Sequence, residues 1–200
     1  QGFGDGLDLN IKPVIPSESP ASKVRPDLVI LATVARAIAC KRPLRMRYLS
    51  VSSGAKTRDI VPVALADSGL RWHVRAFDRL NDRFSDFVLR RIQSAEILDP
   101  LSSEHERLAA DEQWTRIVNM DLVPHPDAEW PEGIEVDFDM REGCLKMRTR
   151  AALAGYLLQR WSVDCSESHS LNPKQHQLWL RNPQTLYGVD SAKLAPGYGD

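Results

Sequence analysis

The segment Leu70–Ile92 holds the side chains best suited to chemistry. Successive residues of a strand point to opposite faces. In LRWHVRAFD (70–78), Trp72, Val74 and Ala76 therefore share one face, and Arg71, His73, Arg75 and Phe77 share the other. A histidine beside an arginine, on a face that also carries an aromatic ring, can grip a phosphate. The guanidinium supplies a planar fork of donors and the imidazole one more. Arg83, Arg90 and Arg91 lie on the next strand or its approach, and pairing of the two strands would bring them within reach. The chemistry is that of an anion receptor. The competing reading is an exposed polar face whose arginines pair with Asp78, Asp82 and Asp86.

Charge follows the same division. Lys41 to Ile92 carries twelve Lys and Arg against five Asp, a net +7, within a chain of net charge −1, so the remainder stands at −8. A basic module in an acidic chain suggests an anionic ligand. An arginine-rich surface paired with the acidic half would give the same count.

Catalytic patterns are weak elsewhere. Cys165 and His169, with Ser168 between them, have no glycine-rich elbow or other motif to support a nucleophile. His125 and Asp127 lack further ligands at metal-binding spacing. Asp137 and Asp139 alternate with Val136 and Phe138 as on the wet face of a strand. No P-loop or GxGxxG occurs. The expectation is a protein that is not an enzyme and needs no cofactor or metal. Cys40, Cys144 and Cys165 are far apart and form no CxxC pair, which suits reduced thiols in a cytoplasmic protein.

The elements around these residues must position them. Residues 1–27, with Pro13, Pro16, Pro20 and Pro26, read as a linker or arm. Residues 28–41 read as a helix capped by Asp27, with Leu28, Leu31, Ala35 and Ile38 on one face and Pro43 as its stop. Residues 44–50, 58–66, 70–78, 84–92 and 94–99 read as short strands, with Pro62 bending the second. A leading helix and about five antiparallel strands suggest a small β-barrel over 28–100. Residues 101–115 read as a linker. Over 116–196, strands at 116–124, 134–140, 144–150 and 176–182 flank a helix at 151–161, which suggests a small α+β sandwich. The fold class is thus mixed α and β. No apolar run approaches the roughly 18 residues of a membrane span, so no membrane is expected. The first Met is Met46, and the chain is expected to be a fragment of a longer protein.

GLRWHVRAFDRLNDRFSDFVLRRI (69–92) resembles the centre of the WYL domain of bacterial transcription regulators, with Trp72-His73-Val74 in place of the Trp-Tyr-Leu triplet. The preceding LRMRYLSVSSGAKTRDIVPVALADSG (44–69) is similar in its Tyr48, its Ser/Gly turn and its Arg-x-Ile-x-Pro strand. The closing element is Phe87, Leu89, Arg91 and Ile92. The variant resembles regulators encoded beside phage-defence systems of the BREX and CBASS kinds, and the chain beyond the barrel resembles their C-terminal extension (WCX). The resemblance covers roughly residues 25–196.

It implies an Sm-like β-barrel that binds a nucleic-acid-derived or nucleotide-like ligand, such as a nucleotide or oligonucleotide. It also implies a homodimer whose extension contacts the partner. Operator DNA would be read by an upstream winged helix-turn-helix, for which residues 1–27 are too short and too rich in proline. Carried over by position, the ligand-binding face is Tyr48, Ser50, Ser53, His73, Arg75, Arg83 and Arg91. Arg90 is a lesser candidate because it opposes Arg91 on a regular strand, and Trp72, Phe87 and Leu89 are expected in the core. Arg75 is expected to face solvent, so its loss should leave stability within about 0.5 kcal/mol. The function implied is the sensing and dimerisation region of a repressor of a phage-defence operon. The alternative is a stand-alone Sm- or OB-like barrel that binds ssDNA or RNA through basic and aromatic side chains. The long acidic C-terminal half favours the regulator.

Overall fold

A computed structural model describes residues 26–99 and 101–199. The arm expected over 1–27 lies outside the described residues except for Pro26 and Asp27. The carboxylate of Asp27 accepts the N–H groups of Val29 and Ile30 at 2.8 and 3.2 Å and so starts α1 (Leu28–Ala39). α1 buries Ile30, Val34 and Ala37. Leu31 and Ile38 pack at the margin of that face, while Leu28 stays exposed.

Five antiparallel strands follow: β1 (Leu44–Ser50), β2 (Gly54–Asp67), β3 (Trp72–Asp78), β4 (Arg83–Val88) and β5 (Ile92–Ile97). β1 alternates as its sequence predicts, with Leu44, Met46 and Tyr48 inside and Arg45 and Arg47 outside. β2 starts at Gly54, four residues ahead of the strand expected over 58–66. The ladder to β3 shifts register between Pro62 and Ala64, where proline offers no N–H. Leu44, Met46, Ile60, Val74, Ala76 and Phe87 form the core under Val34 and Ala37 of α1.

The strand expected over 84–92 ends early, and the one expected over 94–99 starts early. β4 stops at Val88, a 3-10 turn occupies Leu89–Arg91, and β5 starts at Ile92. The strand order β4-β3-β2-β1-β5 puts these consecutive strands at opposite edges of the sheet. Laid flat, four strand spacings would separate them by roughly 19 Å. The turn between them can span at most about 14 Å. The sheet must therefore curl until its edges approach one another. No β4–β5 ladder closes it among the described residues, so the sheet is curled and open where a closed barrel is expected.

Residues 101–111 form a linker with two short 3-10 turns, and α2 (Glu112–Thr115) follows. The C-terminal unit contains β6 (Ile117–Pro124), α3 (Pro131–Asp137), β7 (Leu145–Arg150), α4 (Ala151–Arg160) and β8 (Leu178–Leu180). Its sheet runs β7-β6-β8, all antiparallel. Met120, Leu122, Leu158, Leu178, Leu180 and Leu186 centre its core. Residues 134–137, expected to begin a strand, belong instead to helix α3. Pro131 takes the first helical position with Glu132 beside it, a strong start signal that outweighs the alternation of IEVDFDM. Ile134 is buried and Val136 is 80% exposed. No helix among the described residues is long and apolar enough to cross a membrane.

Gly155 of α4 lies directly against Ser191. Its N–H donates to Ser191 Oγ at 3.0 Å, and Ser191 Oγ donates to the Ala151 carbonyl at 2.7 Å. A Cβ at this position would collide with the Ser191 carbonyl oxygen. Gly155→Ala gains up to about 1 kcal/mol of helix propensity. Overpacking against backbone reverses that gain, and the variant is expected to be less stable by about 1–3 kcal/mol. The check is a lower urea midpoint at unchanged denaturant slope.

Candidate functional site

Val74 and Ala76 of β3 enter the core as the sequence predicts, but the face with His73, Arg75 and Phe77 does not meet solvent. His73 is 6% and Arg75 4% exposed. The linker and α4 cover them. Arg75 Nε and Nη2 donate to the two carboxylate oxygens of Asp111 at 2.7 and 3.0 Å, and Nη1 donates to Asp86 at 3.3 Å. Tyr156 of α4 donates to the other Asp86 oxygen at 3.1 Å, and its ring centroid lies 5.0 Å from that of His73. Arg79 makes a second fork to Glu106 of the linker at 2.6 and 2.9 Å. The solvent-facing position expected for Arg75 is thus corrected. Strand periodicity specifies a face, but not what packs on it. The ion-pair reading is closer, although only Asp86 of its three acids reaches Arg75. Asp78 pairs with Arg58 at 2.6 Å.

Burial works against the Arg75 charge, but its hydrogen bonds to Asp111 and the field of Asp86 hold its pKa above the ordinary arginine value. Burial lowers the pKa of His73. Asp86 opposes that shift, and the positive charges of Arg71 and Arg91 add to it. Burial pushes the Tyr156 phenol upward.

The other residues of the expected face are dispersed. Tyr48 is in the core, edge-on to Phe87 at 5.2 Å, with its hydroxyl accepting the Val88 N–H at 3.1 Å. Ser50 is at the end of β1, 3.1 Å from Ser52 Oγ, and Ser53 is exposed in the adjoining turn. Arg83 lines a cavity of about 360 Å³ between the two units, together with Arg75, Tyr156 and Lys193.

Arg91 lies in a different place. Arg71, Trp72, Arg90 and Arg91 surround a cavity of about 300 Å³ whose remaining wall is Pro26, Leu70, Val88 and Leu89. Arg90 and Arg91 both reach it because they sit on the 3-10 turn. There, successive side chains differ by about 120° rather than 180°. Trp72, expected in the core, opens β3 at 38% exposure and lines the cavity. Among the described residues no carboxylate lines this cleft, and none of the three arginines is held in an ion pair. The arrangement can stack a planar ring and neutralise several negative charges. Only Arg91 of this group belongs to the expected ligand face.

The residues considered for catalysis are arranged structurally. Burial pushes the Cys165 thiol up to about 12, and His169 pairs with Asp127 at 3.2 Å rather than with the thiol. Asp164 accepts from Ser166 N–H and hydroxyl and from Leu171 N–H, and it lies 3.2 Å from His125. It thereby organises the loop after α4. Among the described residues, no three His, Cys, Asp or Glu side chains gather as a metal site.

Residues 29–97 match the family profile of the WYL domain. Residues 117–186 match that of the BrxR transcriptional regulator, C-terminal dimerization domain. The chain is similar to the DNA-binding transcriptional repressor CapW of Escherichia coli (strain KTE188), with 31% identity over 169 residues, covering 82% of this chain and 55% of that protein. It is 32% identical over 167 residues to CapW of Stenotrophomonas maltophilia, covering 79% and 52%. With CapW of Pseudomonas aeruginosa the identity is 30% over 192 residues, covering 89% and 63%. The chain spans a little over half the length of these relatives.

Two outcomes follow from the buried cluster. Arg75→Ala leaves two carboxylates without their shared cation and is expected to lower stability by about 3–5 kcal/mol, measurable by urea denaturation. Burial holds the His73 pKa in the fold below the ordinary value of 6.5 at which the unfolded chain protonates it. Below that pH the unfolded state binds the extra proton, so stability contributed by His73 falls as pH falls. Unfolding free energies at pH 7.5 and 5.5 should differ less in His73→Gln than in the parent chain.

Proposed function

This chain belongs to the WYL-domain regulators that carry a BrxR-type C-terminal dimerization domain, and we propose that it is the ligand-sensing and dimerisation region of a transcription repressor controlling a phage-defence operon. The paired domains and the repressor relatives support this reading. The ligand is a nucleic-acid-derived or nucleotide-like anion, and its seat is the cleft of Arg71, Trp72, Arg90 and Arg91. The observation that carries this assignment is three arginines in no ion pair and a partly exposed tryptophan lining one cavity with no acid in its wall, among the described residues. The curled five-stranded sheet corresponds to the Sm-like barrel of the family in an open form, its two edge strands joined through the Leu89–Arg91 turn. Residues 117–186 form a homodimer in the cytoplasm, and operator DNA is read by a separate DNA-binding domain of the repressor.

A ligand changes an equilibrium only by binding its two states unequally. Two features give this seat such leverage. Pro26, at the entry to α1, forms part of the cleft wall. Trp72 opens the same strand that carries Arg75 to the linker. Occupancy therefore bears both on the chain preceding α1 and on the junction with the C-terminal unit.

Reversing two charges tests the seat. The double variant Arg90→Glu, Arg91→Glu is expected to weaken binding of whichever labelled probe the parent chain binds, a nucleoside triphosphate or a short single-stranded oligonucleotide, roughly a hundredfold or more. Its melting temperature should stay close to that of the parent chain. Fluorescence anisotropy over a salt series reads both affinity and charge dependence, and equal binding by the two proteins would remove the cleft from the function. Light scattering of the parent chain should give twice the chain mass of 22.5 kDa. A monomer at micromolar concentration would overturn the dimer.

A further inference from the structure

We infer that the cleft is built for one nucleotide carrying a multiply charged phosphate chain, a nucleoside di- or triphosphate, rather than for a run of nucleic-acid strand. This rests on the nucleotide-like anion proposed for the same cleft and narrows it.

The first argument is the count of rings. Proteins that track single strands present successive aromatic side chains along a basic groove, one for each stacked base. Trp72 is the one ring in this wall among the described residues. The nearby Tyr48 and Phe87 are buried and packed edge to face against each other, so neither offers a face to a second base. The cavity seats a single base.

The second argument is charge density. Arg90 and Arg91 are adjacent on a tight turn, and Arg71 adjoins Trp72. Three positive charges thus converge beside one stacking platform, with no acid in the described wall to offset them. A strand supplies one charge per nucleotide and would leave part of this cluster unmatched. A di- or triphosphate gathers several negative charges within a few ångströms of one base. The volume of about 300 Å³ also lies at the small-molecule end of the range for ligand sites.

The third argument concerns what the wall lacks. No Asn, Gln, Asp, Glu, Ser or Thr lines it among the described residues. Reading a base edge takes paired donors and acceptors, which asparagine and glutamine supply and arginine supplies only toward guanine. The cleft therefore counts phosphates and is nearly indifferent to adenine against cytosine.

The test is calorimetric titration of the 200-residue chain, at one ionic strength, with ATP, ADP, AMP, CTP, inorganic tripolyphosphate and a ten-residue oligothymidylate. The expected order is ATP above ADP above AMP, by about tenfold for each charge-assisted hydrogen bond that the shorter phosphate chain fails to make. CTP should bind within a few-fold of ATP. Tripolyphosphate should bind about tenfold or more weakly than ATP, because it lacks a base to stack. Trp72→Leu should lower ATP to the level of tripolyphosphate and leave tripolyphosphate unchanged, with the melting temperature confirming the fold. Equal affinity for ATP and AMP, with the oligonucleotide tighter than both, overturns this inference and leaves the nucleic-acid-derived ligand standing. ATP and tripolyphosphate binding alike, unaffected at Trp72, overturns the single-base seat. Failure of every nucleotide and of the oligonucleotide to bind overturns the broader reading as well.

Discussion

A buried guanidinium cannot be left alone, and the structure is organised around that constraint. Arg75 is removed from water on β3, and an uncompensated charge at such depth would be prohibitive. Its compensation comes from two places: Asp86 on the neighbouring strand and Asp111 beyond the end of the first sheet. Asp111 also accepts the Trp114 N–H and so starts α2. The Trp114 carbonyl in turn accepts from Arg150 at 2.6 Å, and the Arg150 guanidinium stands 5.0 Å from the Trp114 ring. One cation in the first unit thereby fixes the linker, and the linker fixes the end of β7 from which α4 departs. The two units are not beads on a string.

The two faces of β3 have separate duties because a strand has only two. At its start, Trp72 opens toward the cationic cleft. One residue later, His73 lies against Tyr156 of α4, and two residues further Arg75 meets the linker. The cleft and the junction are therefore neighbours on one hydrogen-bonded ribbon. Arg71 and Arg91 are close enough to His73 to disfavour its protonation, which is an electrostatic sign of that proximity. Gly69, at φ 83° in the turn before β3, sits against the guanidinium of Arg160, so the turn leading into the cleft also touches α4.

Much of this is legible in the sequence, for identifiable reasons. Local rules reach Asp27 as a cap, the alternation of β1, the shared face of His73 and Arg75, and the concentration of positive charge over Lys41–Ile92. Those features depend on a residue and its near neighbours. What covers a face depends on segments far along the chain, and nothing in RWHVRAF announces that Asp111 and Tyr156 will close over it. A regular strand would oppose Arg90 to Arg91, but the strand does not continue through Leu89–Arg91. The cue is topological: one long strand over 84–92 could not deliver β5 to the opposite edge beside β1. The neighbours Val74 and Ala76 suggest a core position for Trp72, although the first residue of a strand has less sheet above it than the third. In α3, a two-residue alternation competes with a proline start signal, and the start signal prevails.

The curl of the first sheet also sets an order of assembly. β1 through β4 pair as a meander, each strand with the one just made, so these ladders can form while the chain lengthens. β5 is the exception. Its register joins Ile97 to Leu44, some fifty residues earlier, and the entropy of closing so long a loop is met only when most of the sheet already exists. Until then one edge of β1 has no partner. On that strand's outer face Arg45 is paired with Asp59 of β2, while the charge of Arg47 discourages the bare edge from accepting a strand of another molecule during synthesis.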